Sequence, residues 1–129
     1  AGQGVRSMAT VLVVDDYPDA CQMLARLLKA MGHTADVALD GEAALEYVRA
    51  APPAVVFLDV MMPGLDGYGV LAALRADPAT AAVPVVMYTA HGSPDARARA
   101  MALGADDCLV KGVATLEDIE RAVDRLTRN

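Results

Sequence analysis

The sequence predicts an α/β fold, a doubly wound five-stranded parallel sheet with five helices on its two faces. Three observations lead there. Four short apolar runs are continuous rather than alternating, as in strands covered on both faces. Segments of helical period separate these runs from one end of the chain to the other. The 129 residues suit one domain with a single sizeable core. Strand and helix alternating in this way favour a sheet layered between helices, a three-layer sandwich.

Val11, Leu12, Val13 and Val14 form the first strand, and Asp15 and Asp16 stand where it leaves the core. Pro18 suits the first turn of the helix that follows. Its apolar stripe is Met23, Leu24, Leu27, Leu28 and Met31, with Gly32 as the stop. A weaker strand is expected from Thr34 to Leu39. Ala43, Ala44, Tyr47 and Val48 mark the second helix, closed by Pro52 and Pro53. Val55, Val56, Phe57 and Leu58 then build a strand that ends on Asp59. Met61 and Met62 read as core filler, with Met61, two residues past Asp59, alternatively a neighbour of that carboxylate in the path of an approaching water, and Pro63 and Gly64 shape the loop to the third helix. Asp66 and Gly67 open that helix, Val70, Leu71 and Leu74 are its apolar stripe, and it ends near Asp77 and Pro78.

The fourth strand, Val85 to Tyr88, is followed by Thr89. Ser93 reads as a cap with Pro94 at the first helical position, and Gly104 ends this fourth helix. Arg97 and Arg99 on it read as a solvated face. Cys108, Leu109 and Val110 form the last strand, and Lys111 follows it. Thr115 with Asp118 three residues on resembles a capping box, ahead of Leu116, Ile119, Val123 and Leu126.

Composition narrows the function. The net charge is -6, from 17 acidic and 11 basic residues, so the chain lacks the basic footprint that phosphate backbones attract. Direct nucleic-acid binding is not expected. No apolar run exceeds five residues, whereas a membrane-spanning helix needs about 20, so no membrane insertion is expected. Cys21 and Cys108 lack metal-ligand spacing and read as buried reduced thiols. His33 and His91 are isolated. Residues 1–7 lack the apolar core of a signal peptide and read as an appended leader, with Met8 as the natural start of a single domain over residues 8–129.

In sheets of this kind, sites form beyond the C-terminal ends of the strands. Asp15, Asp16, Asp59, Thr89 and Lys111 all fall there. A lone aspartate at a strand end is usually a turn former or a cap. Three converging carboxylates repel one another and call for a cation. Oxygen donors in a sparse acidic site favour magnesium, which keeps waters and accepts phosphate oxygens.

The stretches VLVVDD, FLDVMMPGLDG, MYTA and GADDCLVKG, in this order and spacing, resemble the receiver domain of two-component response regulators across about residues 9 to 127. The resemblance implies a flavodoxin-like sheet of order 2-1-3-4-5 and a cytoplasmic phosphorelay protein rather than a conventional enzyme. Asp59 would accept a phosphoryl group from a histidine kinase or phosphotransfer protein, and the domain would then act on an unknown downstream protein. Asp16, Asp59 and the backbone carbonyl of Met61 would bind magnesium, with Asp15 acting through a coordinated water. Lys111 would pair with Asp59 and later with a phosphoryl oxygen. Thr89 would bond another oxygen, assisted by the backbone N–H of Ala90, with Val60 a further ligand-binding position. Such a domain is either a stand-alone regulator or part of a larger protein.

Two positions depart from the family pattern. Gly112 follows Lys111 where proline is usual, and a cis bond before a non-proline residue costs about 2.5–4 kcal/mol. That loop is expected to be trans, or cis under strain. Cys108 replaces the aromatic usually found three residues before the lysine, so the threonine–aromatic switch is in question. Tyr88 is the one aromatic near it in sequence, and adjacent strand residues face opposite sides. Tyr17 and Tyr68 flank the site and read as packing. Three rival readings fit the residues less well. A receiver-like adaptor without phosphate cycling sits poorly with the full set of site residues. A haloacid-dehalogenase-like phosphatase would carry its nucleophile after the first strand, with a second aspartate two residues on. A nucleotide-binding fold would need a glycine-rich loop after that strand.

Overall fold

A computed structural model of the chain describes residues 9–90 and 92–127. The leader expected at residues 1–7, the start at Met8 and His91 lie outside them. Ten elements alternate as expected. They are β1 (Thr10–Val14), α1 (Pro18–Ala30), β2 (Thr34–Ala38), α2 (Gly41–Ala50), β3 (Val55–Leu58), α3 (Gly67–Ala76), β4 (Val85–Thr89), α4 (Pro94–Ala102), β5 (Asp107–Val110) and α5 (Leu116–Thr127). The sheet order is β2-β1-β3-β4-β5, and every neighbouring pair is parallel. This is the doubly wound flavodoxin-like sandwich that the sequence predicts.

Alternation along the strands divides the core in two. Leu12, Val14, Val56, Leu58, Val85 and Met87 point to one face, where Val48 of α2, Leu71 and Leu74 of α3 and Ala100 of α4 cover them. Val11, Val13, Val55, Phe57 and Val86 point to the other, beneath Leu24 and Leu28 of α1 and Ile119 and Val123 of α5. Both faces are dry, which explains the continuous apolar runs. The stripe of α1 is narrower than its sequence suggests. It consists of Cys21, Leu24, Ala25 and Leu28, at positions i, i+3, i+4 and i+7, while Met23 is 67% exposed. Leu39 lies beyond the end of β2 and is exposed, and so is Leu116 at the start of α5.

Side-chain caps fix where the helices begin. Asp40, Asp66 and Ser93 accept from the backbone N–H groups of Ala43, Gly69 and Ala96, at 2.7, 2.9 and 3.1 Å. Thr115 and Asp118 bond reciprocally, as a capping box requires.

Arg97 and Arg99 are exposed, as the sequence leads one to expect, and their guanidinium groups also reach partners on other elements. Arg97 donates to the carbonyl of Cys108 at 2.8 Å, and Arg125 pairs with Asp107 at 2.9 Å. Asp107 in turn accepts from the N–H of Cys108. Edge strand β5 is thus held from α4 and α5. Arg99 lies over the ring of Tyr68, 4.0 Å from its centroid, joining α4 to α3.

Arg75 on α3 is the most connected of these side chains. Its Nε donates to Gly104 O at 2.9 Å, and its Nη1 donates to Val83 O at 2.7 Å and Ala81 O at 3.1 Å. Its Nη2 pairs with Asp106, which also accepts from the N–H of Val85. One guanidinium therefore ties the end of α3 to the start of β4 and to the turn before β5. Removing it strands several half-buried acceptors. Arg75→Ala should cost about 2–3 kcal/mol in urea unfolding, whereas Arg121→Ala, which breaks only an exposed pair with Glu117, should stay within about 0.5 kcal/mol. Equal unfolding midpoints for the two variants would show that Arg75 is not a tie.

Candidate functional site

The parallel order brings the ends of β1, β3, β4 and β5 to one rim of the sheet, and with them Asp15, Asp16, Asp59, Thr89 and Lys111. Asp59 terminates the central strand. Its N–H donates to Val14 O at 2.9 Å, so the ladder still fixes its backbone while its side chain has left the core. Asp15 and Asp59 are 4% and 7% exposed, Asp16 is open to solvent, and Thr89 is buried. Each of the three carboxylates offers an oxygen within 4.8 Å of the others. Hard oxygen donors crowded together, with one side open to water, suit a cation such as magnesium.

Lys111 crosses this cradle with its side chain 25% exposed. It hydrogen-bonds Asp15 Oδ2 and stands 3.6 Å from Asp59 Oδ2. The resemblance implies Asp59 as its partner, and in the structure Asp15 is the nearer one. Asp15 is well placed for that role, because its other oxygen accepts the N–H of Tyr17 at 3.0 Å. Burial raises the pKa of Asp59, Lys111 pulls it back, and the Asp15 carboxylate pushes it up again. The backbone amides of Val60 and Met61, beside the Asp59 carboxylate, favour its charged form. Burial disfavours the Lys111 ammonium, but Asp15 and Asp59 outweigh it and hold that pKa above the ordinary lysine value.

The loops around these residues are shaped by close contacts. After Lys111 the backbone turns through Gly112 at φ +82°, in the left-handed region that glycine accepts and residues with a Cβ resist. No cis peptide occurs among the described residues, so this loop is trans. Gly67, at the start of α3, packs directly on the backbone of Asp59. A Cβ there would lie 2.1 Å from Asp59 O, while its own N–H donates to Val60 O at 3.0 Å. The sequence marks Gly67 only as a helix start, and nothing local signals its contact with the acceptor backbone.

The structure also adds residues that the sequence reading did not place at the site. Cys21 lies beneath Asp15 and donates from Sγ to its carbonyl at 3.2 Å, and burial pushes its thiol up to about 11. Tyr88 has its ring centroid 5.8 Å from Lys111 Nζ. Cys108 packs in the core beneath α2, α3 and α4, whereas Tyr88 packs on the α1 and α5 side. Tyr88 therefore does not stand where the family's aromatic would. Met61 is 63% exposed and hence not core filler, while Met62 is buried. Ala90 follows Thr89 on the surface. Tyr17 is exposed beside the site, and Tyr68 donates from its hydroxyl to Ala96 O at 3.5 Å.

A family model for the response regulator receiver domain matches residues 11–124. The chain is 40% identical over 117 residues to the gliding motility regulatory protein of Myxococcus xanthus, covering 91% of this chain and 15% of that one. It is 43% identical over 119 residues to the probable transcriptional regulator ycf27 of Guillardia theta, covering 91% and 46%. It therefore spans less than half the length of either relative. Among solved structures, a putative response regulator from Chloroflexus aurantiacus superposes with a TM-score of 0.88 at 30% identity, covering 95% of this chain and 100% of that one. By its match along most of its length, its relatives and its sheet order, the chain belongs to the response regulator receiver domain family.

Proposed function

We propose that this domain, over residues 8–129, takes a phosphoryl group onto Asp59 from the phosphohistidine of a histidine kinase or phosphotransfer protein, with magnesium, and signals through altered protein contacts. The observation that carries this reading is the setting of Asp59: a nearly buried carboxylate on the central strand, 3.6 Å from Lys111 and next to two further carboxylates. Phosphoryl transfer asks for in-line positioning and charge neutralisation more than for covalent assistance from the protein. An Asp59 oxygen attacks phosphorus as the bond from phosphorus to the donor imidazole breaks, and the imidazole nitrogen keeps the electron pair and takes up a proton. Lys111 swings from Asp15 to a phosphoryl oxygen. The Thr89 hydroxyl and the N–H groups of Ala90 and Val60 bond the others. Asp15, Asp16, Asp59 and the Met61 carbonyl would hold magnesium, which would supply positive charge to offset the charge that develops on transfer.

Docking of the phosphodonor is supported by exposed apolar side chains on the loops around the acceptor: Tyr17, Met61 and Val113, the last 75% exposed. No helix among the described residues is long and apolar enough to cross a membrane. The downstream target is a protein, since the acidic balance gives no footprint for nucleic acid.

Incubation with a small phosphodonor and magnesium should label the protein on one residue, and Asp59→Asn should not be labelled. Undiminished labelling of that variant would refute the assignment. Magnesium alone should raise the melting temperature of the wild type by binding only the folded cluster, and Asp16→Ala should lose most of that rise. An equal rise in both proteins would place the ion elsewhere.

Decay of the phosphorylated form should be slow. Hydrolysis needs a water aligned with phosphorus, and methionine at position 61, two residues past the acceptor, has no strong group to hold one. Met61→Asn should shorten the half-life several-fold while leaving phosphorylation intact. An unchanged or longer half-life would clear Met61 of that role.

A further inference from the structure

Lys111 raises a mechanical question. It sits at the end of edge strand β5, where its N–H donates to Thr89 O at 2.8 Å and the turn through Gly112 closes on Val110 O, so its backbone is held while the rotamer of its side chain is not set by these bonds. Its four-carbon stem carries many rotamers. The Asp15 hydrogen bond holds its tip, yet the same ammonium must leave Asp15 during phosphoryl transfer. Something else has to keep it near Asp59 once it does.

The register of β4 and β5 supplies a support. Tyr88 is paired with Leu109, and Lys111 lies two residues further along, on the same face of the sheet. The Tyr88 ring reaches toward the ammonium, with 5.8 Å between its centroid and Lys111 Nζ, inside the range of about 6 Å in which a ring face attracts a cation. The ring is itself fixed. Phe57, fully buried on β3, meets it edge to face, with centroids 6.1 Å apart and planes at 80°. Thr89, the next residue, points to the opposite side of the strand. β4 thereby offers a hydroxyl on one side of the site and an aromatic wall on the other.

We propose that the Tyr88 ring confines the Lys111 ammonium between Asp15 and Asp59, so that Tyr88 is a positioning residue for phosphoryl transfer. This rests on the phosphoacceptor reading of Asp59. A ring suits the task because it attracts the ammonium without offering an anion that would compete with the phosphoryl group. It also keeps water from one side of the ammonium, which strengthens the ion pairs on the other. The face of the ring does this, and the hydroxyl is dispensable.

The test is the initial rate of labelling of the full chain by acetyl phosphate with magnesium, for wild type, Tyr88→Leu, Tyr88→Phe, Lys111→Met and the double variant Tyr88→Leu/Lys111→Met. Tyr88→Leu should label roughly five- to tenfold more slowly, and Tyr88→Phe should recover most of the rate. In the Lys111→Met background, Tyr88→Leu should have no further effect, because its influence passes through the lysine. A ring merely filling space would slow both backgrounds alike, and that result would overturn the proposal, as would a wild-type rate for Tyr88→Leu. NMR gives a readout independent of phosphorylation. The side-chain methylene protons of Lys111 should be shifted upfield by the ring current in the wild type and in Tyr88→Phe. Absence of that shift in the wild type overturns the proposal even if Tyr88→Leu does not fold. Failure of the wild type to be labelled at all, with the ring-current shift present, would instead refute the phosphoacceptor reading.

Discussion

The interaction on which the site depends is the crowding of carboxylates at the sheet rim and its answer in a single ammonium. Asp15 and Asp59 are nearly buried and close enough to repel, and burial alone raises the pKa of Asp59. Lys111 makes the arrangement tolerable by bonding Asp15 and standing within reach of Asp59. One cation against three carboxylates leaves the cluster short of positive charge. That deficit suits the cluster to a divalent ion. An acceptor whose charge is only partly compensated is thus poised for modification.

The sheet exists to hold those groups still. With both faces dry, the strands cannot slide without exposing core residues, and each strand end delivers its functional residue to a fixed place. The weakest point of such a sheet is its open edge, and here the edge carries the lysine. Arg97 and Arg125 reach across from the flanking helices to Cys108 and Asp107, so β5 is braced just before Lys111. Gly67 plays the matching part on the central strand, where α3 presses on the carbonyl of Asp59 and leaves no space for a side chain.

The two departures from the family pattern have different consequences. Gly112 replaces a proline, yet the turn is made without a cis peptide because glycine accepts a positive φ. Lysine still reaches the cradle. Cys108 is a different matter, since a small thiol packed under α4 has no ring to swing toward Thr89. Here α4 is tethered instead by Arg97 to the backbone of Cys108 and by Arg99 to Tyr68.

What the sequence by itself determined was everything set by near neighbours. The continuous apolar runs declared buried strands, Asp66, Ser93 and the Thr115–Asp118 pair declared helix starts, and the rule of strand ends gathered Asp15, Asp16, Asp59, Thr89 and Lys111. Each of these signals lies within a few residues, where backbone periodicity and capping act. Only the tertiary structure decided who pairs with whom. Lys111 and Asp15 are 96 residues apart, and nothing local chooses Asp15 over Asp59 as the first partner. The same holds for Arg75, Arg97 and Arg99, whose partners, carbonyls, an acid and a ring, all lie on other elements. Met61 and Met62, chemically identical neighbours, part company because only one of them faces the core. Long side chains commit to partners after the elements have docked, so their contacts depend on how helix and strand pack and not on the residues beside them in the chain.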